Sequence, residues 1–194
     1  MYIILKYIII TIFAGIYTEF IGYLSHRYIV HEGIVGDKIR VTHYCHHEIK
    51  YPYYDFESKK YRLANDSLPW VLTIIFFAYI PTILAYLCKF IDIYMMIYLL
   101  IYFTIHLFFI SYIHDSYHYK NHWLNKYEWY KYNRKCHYIH HLDDMNYGIT
   151  NYVFDKVFGT FSDKITDKKN NFNGLETNCE ERFKILDGLP SLVN

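Results

Sequence analysis

The sequence lacks a strong charge of either sign. Twenty Lys and Arg against nineteen Asp and Glu leave +1 on 194 residues, so no basic field is present to hold nucleic acid. It also lacks a cysteine framework. Cys45, Cys88, Cys136 and Cys179 contain no CxxC, and a chain this rich in apolar residues is expected to keep them as small buried thiols. Charged residues are scarce, 20% against 53% hydrophobic and 21% aromatic, which excludes a disordered chain. The charge that exists is segregated. Long charge-free runs alternate with segments dense in Lys, Asp and His, as in a protein that crosses a membrane.

Three segments are long enough to do so. A helix needs about 20 apolar residues to cross a bilayer core of about 30 Å. Leu68 to Leu87 supplies twenty with no charged side chain, and Ile93 to Ile113 supplies twenty-one, interrupted only by His106. The five residues between them, Cys88 to Asp92, leave room only for a tight hairpin. The third run is the N-terminus, about Tyr2 to Leu24, with Lys6 near its start and Glu19 near its end. A cleavable signal peptide fits this run poorly, because no small-x-small site follows it. Pro81 is placed to kink the second span and open room beside it.

Of the twenty Lys and Arg, only Lys6 and Lys89 lie on the side of the N-terminus and the hairpin. Excess positive charge marks the cytosolic face. The loop 32–67 and everything after His114 are therefore expected in the cytosol. Asn65-Asp66-Ser67 matches a glycosylation acceptor, which on that face stays unmodified.

Ten of the twelve histidines then gather on that face in four groups. His26 and His31 stand in HRYIVH, His43, His46 and His47 in HYCHH, His114 and His118 in HDSYH, and His137, His140 and His141 in HYIHH. On an α-helix, i, i+3 and i+4 share a face, so each HxxHH projects a tripod. Positions i+3 and i+4 differ by about 100° in direction, so adjacent histidines can serve two neighbouring metals. His114 and His118 share a face. His26 and His31, at i and i+5, do not, so the helix is expected to end or distort between them. Imidazole suits iron, zinc, copper and nickel, while magnesium and calcium prefer oxygen. Ten imidazoles exceed the need of one structural zinc; two ions with about five nitrogens each is the natural division.

The isolated histidines read differently. His106 is expected to bond a neighbouring helix or line a substrate cavity. His122 is expected at the surface or behind the ligands. Glu19, on nearly the same helical face as His26, is expected to support a ligand histidine or to pair with His106. Asp115, Asp143 and Asp144 are further supporting candidates.

These spacings, in this order around a membrane hairpin, resemble the fatty acid hydroxylase/sterol desaturase superfamily. EFIGYLSHRYIVH, Glu19 to His31, is similar to a segment of bacterial beta-carotene hydroxylases, and NYGITNYVFDKVFGTF, Asn146 to Phe161, looks like the hydroxylase/desaturase ending. The resemblance covers about residues 15–161. It implies that the ten clustered histidines hold two iron ions, for which zinc can substitute on purification. It implies an O2-dependent lipid hydroxylase or desaturase acting on a fatty acyl chain, sterol or carotenoid. Because no cytochrome b5 domain is fused, electrons would come from a separate donor such as cytochrome b5 or ferredoxin. The implied location is the endoplasmic reticulum membrane. The third group is HX3H, whereas the carotene hydroxylases have HX4H.

The expected fold is all-α, an integral membrane protein of three, or at most four, membrane helices with a helical cytosolic cap. Residues 1–161 form the membrane domain and 162–194 a polar tail. Ile149 to Phe158 is expected to be a short amphipathic helix on the cap or membrane surface. The competing functional reading is a non-catalytic metal-binding membrane protein, either a degenerate relative or a metal carrier. Glu19 and His106 are too few polar groups at membrane depth for a transporter, and one histidine within the spans is too few for a haem cytochrome.

Overall fold

A computed structural model describes residues 2–52, 55–57 and 67–164. The glycosylation-like triplet, apart from the backbone of Ser67, and the expected tail from residue 165 onward lie outside the described residues. What is described is all-helical, with no strand. Three helical stretches are long and apolar enough to cross a membrane: Ile3–His31, Trp70–Leu87 and Ile93–Tyr117.

The first stretch is α1 (Tyr2–Leu24), which continues without a break into a π-helical turn over Ser25–His31. The second comprises α3 (Ser67–Ile74), a π turn over Ile75–Tyr79 and α4 (Ile80–Leu87). Pro81 sits in the first turn of α4 and has no amide hydrogen to offer four residues back. That carbonyl, on Phe77, takes the Tyr17 hydroxyl of α1 instead. Proline thus turns a lost bond within one helix into a bond between two. The third stretch is α5 (Ile93–Tyr117), started by the Asp92 carboxylate, which accepts from Met95 N at 2.8 Å. The hairpin before it turns at Lys89, with φ 62°.

Side chains sort by solvent. Ile4, Ile8, Ile12 and Phe13 of α1 and Ile97, Ile101, Ile105 and Phe108 of α5 are exposed on the outside of the bundle. That distribution is costly in water and natural in lipid. Ala14, Ala78 and Phe103 are buried where the three spans meet. Small residues at two of these positions let the helices approach closely.

The cap is α2 (Asp37–Cys45), a π turn over His46–Lys50, a 3₁₀ turn over Trp123–Lys126, α6 (Glu128–Leu142) and α7 (Val153–Phe158). Phe56, Ile113, Tyr117, Leu124, Tyr130 and Ile149 form its apolar core. α7 is shorter than the expected helix. Asn146 to Asn151 is spent on a turn, and Asn151 Oδ1 accepts from Val153 N at 3.2 Å to start the helix late. α7 rests on α1, with Phe154 5.1 Å from Phe20 and Phe158 stacked on Tyr23 at 5.2 Å, ring centre to ring centre. Cys136 is a buried free thiol as expected; Cys88 is free but exposed and Cys45 is disulfide-bonded, both against the expectation.

Candidate metal centre

The two π turns place the first histidines. In a π-helix the backbone bond reaches five residues back. Glu32 N bonds Arg27 O at 2.9 Å, and Tyr51 N bonds His46 O at 2.9 Å. The wider turn brings i and i+5 onto one side, and the rings of His26 and His31 lie 5.1 Å apart. Of the two expectations, an end or a distortion, the second holds: the helix continues through His26 and His31 but widens into a π turn.

Nine of the ten clustered histidines converge into two groups. His26, His31, His43, His47 and His140 make the first; His46, His118, His137 and His141 make the second. Within each group the candidate ligand atoms all lie within 4.8 Å of one another. Each HxxHH motif divides as the 100° offset requires, and the two divide in opposite senses. His43 and His47 face the first group while His46 faces the second; His137 and His141 face the second while His140 faces the first. The groups share a wall, where His47 stacks on His141 with centroids 3.9 Å apart. His114 belongs to neither set but lies against the second. Its ring is 4.8 Å from His46 and 4.7 Å from His137, and its buried Nε2 has no hydrogen-bond partner.

The opposite ring nitrogens are held by oxygen. His26 Nδ1 meets Tyr147 O at 2.6 Å, His118 Nδ1 meets Phe56 O at 3.1 Å, His140 Nδ1 meets Met145 O at 2.7 Å and His141 Nδ1 meets Tyr51 O at 2.9 Å. His31 Nδ1 meets Asp144 Oδ1 at 3.2 Å, and His114 Nδ1 meets Asp115 Oδ1 at 3.4 Å. An Nδ1 that donates to oxygen leaves Nε2 as a lone pair, the tautomer a metal takes.

One pair decides what the groups can hold. His31 Nε2 and His140 Nε2 face each other at 3.2 Å. Both rings donate through Nδ1, so two lone pairs meet at hydrogen-bond distance, which is repulsive unless a cation joins them. A proton is disfavoured in that role. Burial first, then the neighbouring His26, pushes His140 well below the ordinary histidine range. Burial does the same to His46, His47, His118, His137 and His141. These rings stay neutral at pH 7 and keep their lone pairs for a metal. The donor set and its outer partners fit a nitrogen-loving metal ion.

The loop after α6 is built to present one of those oxygens. Asp155 is fully buried and accepts from Tyr147 N at 2.7 Å, Gly148 N at 2.8 Å and Thr160 Oγ1 at 2.9 Å. Burial pushes its carboxyl up, while those donors hold it down. Asn146, at φ 55°, donates to the carbonyls of Cys136 and Ser162 and so ties the loop to α6. The result is a fixed Tyr147 carbonyl under His26. The sequence singles this segment out, but only as a resemblance.

The isolated residues fall elsewhere. His122 starts the 3₁₀ turn, accepting from Leu124 N at 3.3 Å and meeting the Tyr112 hydroxyl at 2.9 Å, away from both groups. Glu19 does not reach a clustered histidine. It lies 3.5 Å from His106 Nε2 and accepts from the Thr150 hydroxyl, so of the two expectations the pairing with His106 holds. Cys136 stays outside both groups, and burial raises its thiol, which opposes a thiolate ligand.

A pocket opens among the spans, with about 610 Å³ of empty space including its mouth. Tyr17, Ile21, Phe77, Leu107 and Ile110 line it, and Glu19 and His106 bring a carboxyl and an imidazole into its wall. Its Trp70 and Tyr147 walls lie 5.3 and 5.8 Å from the His26 ring. The pocket therefore ends against the first histidine group.

A family model described as fatty acid hydroxylase matches residues 11–160. No curated protein and no solved structure matches the chain.

Proposed function

The chain belongs to the fatty acid hydroxylase family, and from that premise we propose that it is a membrane di-iron oxygenase acting on a lipid. The observation that carries this reading is the division of nine buried histidines into two adjoining groups beside a membrane pocket. His26, His31, His43, His47 and His140 would hold one iron. His46, His118, His137 and His141 would hold the other, with His114 beside it. Such a pair of irons supplies the activation of O2, so that R–H, O2, two electrons and two protons give R–OH and water, or two hydrogens are removed to leave a double bond.

The chain's own residues do the rest. Carbonyls of Tyr147, Phe56, Met145 and Tyr51 orient the rings before metal arrives, and Asp144 and Asp115 add charge at the edges. The buried tier excludes water from the reacting centre. The pocket walls guide an apolar chain from the bilayer toward His26. Electrons come from a separate donor, of the cytochrome b5 or ferredoxin type. The Lys/Arg distribution supports a cytosolic placement of the histidines and C-terminus, and the endoplasmic reticulum is the proposed membrane.

The test is direct. Iron-loaded protein in vesicles of extracted cell lipid is given reductant, electron donor and isotope-labelled O2. The expected result is a lipid that gains one labelled oxygen or loses two hydrogens, with no such product from His46→Ala. Metal-loaded protein that leaves every lipid unchanged would overturn the reading.

A further inference from the structure

The proposed reaction does not use Glu19 and His106, yet they meet inside an apolar pocket at membrane depth. Placing a carboxyl and an imidazole there is costly and needs a compensating partner. The protein closes only part of that need. Thr150 donates its hydroxyl to Glu19 Oε1. His106 Nε2 lies 3.5 Å from the same oxygen, buried and without a hydrogen bond, while the two side chains remain 15% and 16% exposed, respectively. Both line the pocket. Tyr102, stacked on the His106 ring with centroids 5.7 Å apart, fixes the imidazole plane. What is left unsatisfied is acceptor capacity on the Glu19 carboxylate and the buried Nε2 of His106, side by side in the wall of a mainly apolar pocket.

We propose that Glu19 and His106 form a recognition site for a hydroxyl group on the lipid substrate, so that the substrate class is a neutral, hydroxyl-bearing lipid. This rests on the oxygenase reading for what happens next, but not for binding itself. A hydroxyl is a small neutral lipid group that both donates and accepts. It donates to the Glu19 carboxylate and accepts from His106 Nε2–H, completing what the protein leaves open. A lipid carboxylate or phosphate would bring a second negative charge against Glu19 in a low-dielectric space and is rejected.

Position follows from helix geometry. Glu19 precedes His26 by seven residues and His106 precedes His114 by eight, so the pair lies about 10–12 Å below the histidine tier at 1.5 Å per residue. The hydroxyl is therefore a fixed point from which the pocket measures the carbon presented to the metals, and Glu19 and His106 are specificity-determining residues.

The experiment reads binding through Trp70, which lines the pocket, and needs no turnover. Purified protein in detergent is titrated with dibrominated octadecanol, dibrominated octadecane and dibrominated stearic acid, and quenching of tryptophan fluorescence is followed. Trp70→Phe identifies the pocket signal against Trp123 and Trp129. The alcohol is expected to half-quench at a concentration about tenfold lower than the alkane or the acid, the ratio that one or two net hydrogen bonds give. In Glu19→Gln, which keeps an acceptor for Thr150, the discrimination against the acid falls while the alcohol still binds. In His106→Phe, the preference for alcohol over alkane shrinks toward equality, leaving only what the Glu19 bond supplies. Equal quenching by all three ligands in the wild type, or unchanged preferences in both variants at wild-type helix content, would overturn the proposal. Alcohol preference in protein that never oxidises a lipid would keep this site and remove the oxygenase reading. Lipid oxidation without alcohol preference would do the reverse.

Discussion

Replacing His140 with alanine is expected to take lipid turnover to background and halve the bound metal, from about two ions per chain to about one, as loss of a ligand to only one of two sites requires. His140 is the one residue of α6 that faces the first histidine group; His137 and His141 of the same motif face the second. Its Nδ1 is held by Met145 O and its Nε2 opposes His31 Nε2 at 3.2 Å. Removing it opens a hole in a buried tier and takes away the ring nitrogen that faces His31 Nε2. Loss of outer partners alone typically costs 10–100-fold in metal affinity or activity, so removal of a ligand should exceed about 100-fold. His122→Ala, which touches neither group, is the contrasting variant and should retain metal. The check is metal content and product formation on the same samples. Retained turnover in His140→Ala would contradict the assignment.

Gly148→Ala is expected to be the most damaging substitution outside the histidines. A Cβ at this position would sit 2.0 Å from the Asn151 carbonyl oxygen and 2.9 Å from Asp155 Oδ2. The first contact is with backbone, which cannot swing aside. The loop cannot yield either, because Asp155 holds the amides of Tyr147 and Gly148 at 2.7 and 2.8 Å. Any shift that relieves the clash breaks these bonds and moves the Tyr147 carbonyl away from His26. The cost is on the order of 3–5 kcal/mol, the range of severe overpacking combined with lost buried hydrogen bonds. It should appear as a large drop in the melting temperature of the detergent-solubilised protein, accompanied by weaker metal retention. A variant that melts like the wild type would show that the loop is softer than its hydrogen bonds indicate.

Much of this architecture is legible in the residues, for physical reasons that can be named. The spans follow from charge-free length, since a bilayer admits little else. The opposed division of the two HxxHH motifs follows from the 100° between neighbouring helical positions. Other features carry no such signal. The π turn between His26 and His31 is a change of backbone partner from four to five residues back, and only the impossible i, i+5 spacing hints at it. The oxygens behind His26, His118, His140 and His141 are backbone carbonyls, which any residue type can supply, so neither Phe56 nor Met145 stands out. Glu19 reads as a possible support for His26 because helical periodicity reveals faces, not which helix lies opposite; packing against α5 brings it to His106. His114 shares the HX3H spacing with His118, yet it faces Asp115 and the edge of the second group, a difference of about one helical turn that spacing does not resolve. The division of the chain into a domain ending at 161 and a tail remains a proposal from polarity alone.

The claim on which the rest depends is that two metal ions occupy the two histidine groups. The direct measurement is metal content per chain on detergent-purified protein after anaerobic iron loading, with a visible spectrum on the same sample. The account predicts about two iron ions, or substituting zinc, per chain, the number set by two sites of four to five imidazoles each. Protein that folds and binds no metal would contradict it, and would leave a family member with the histidines in place and without their chemistry.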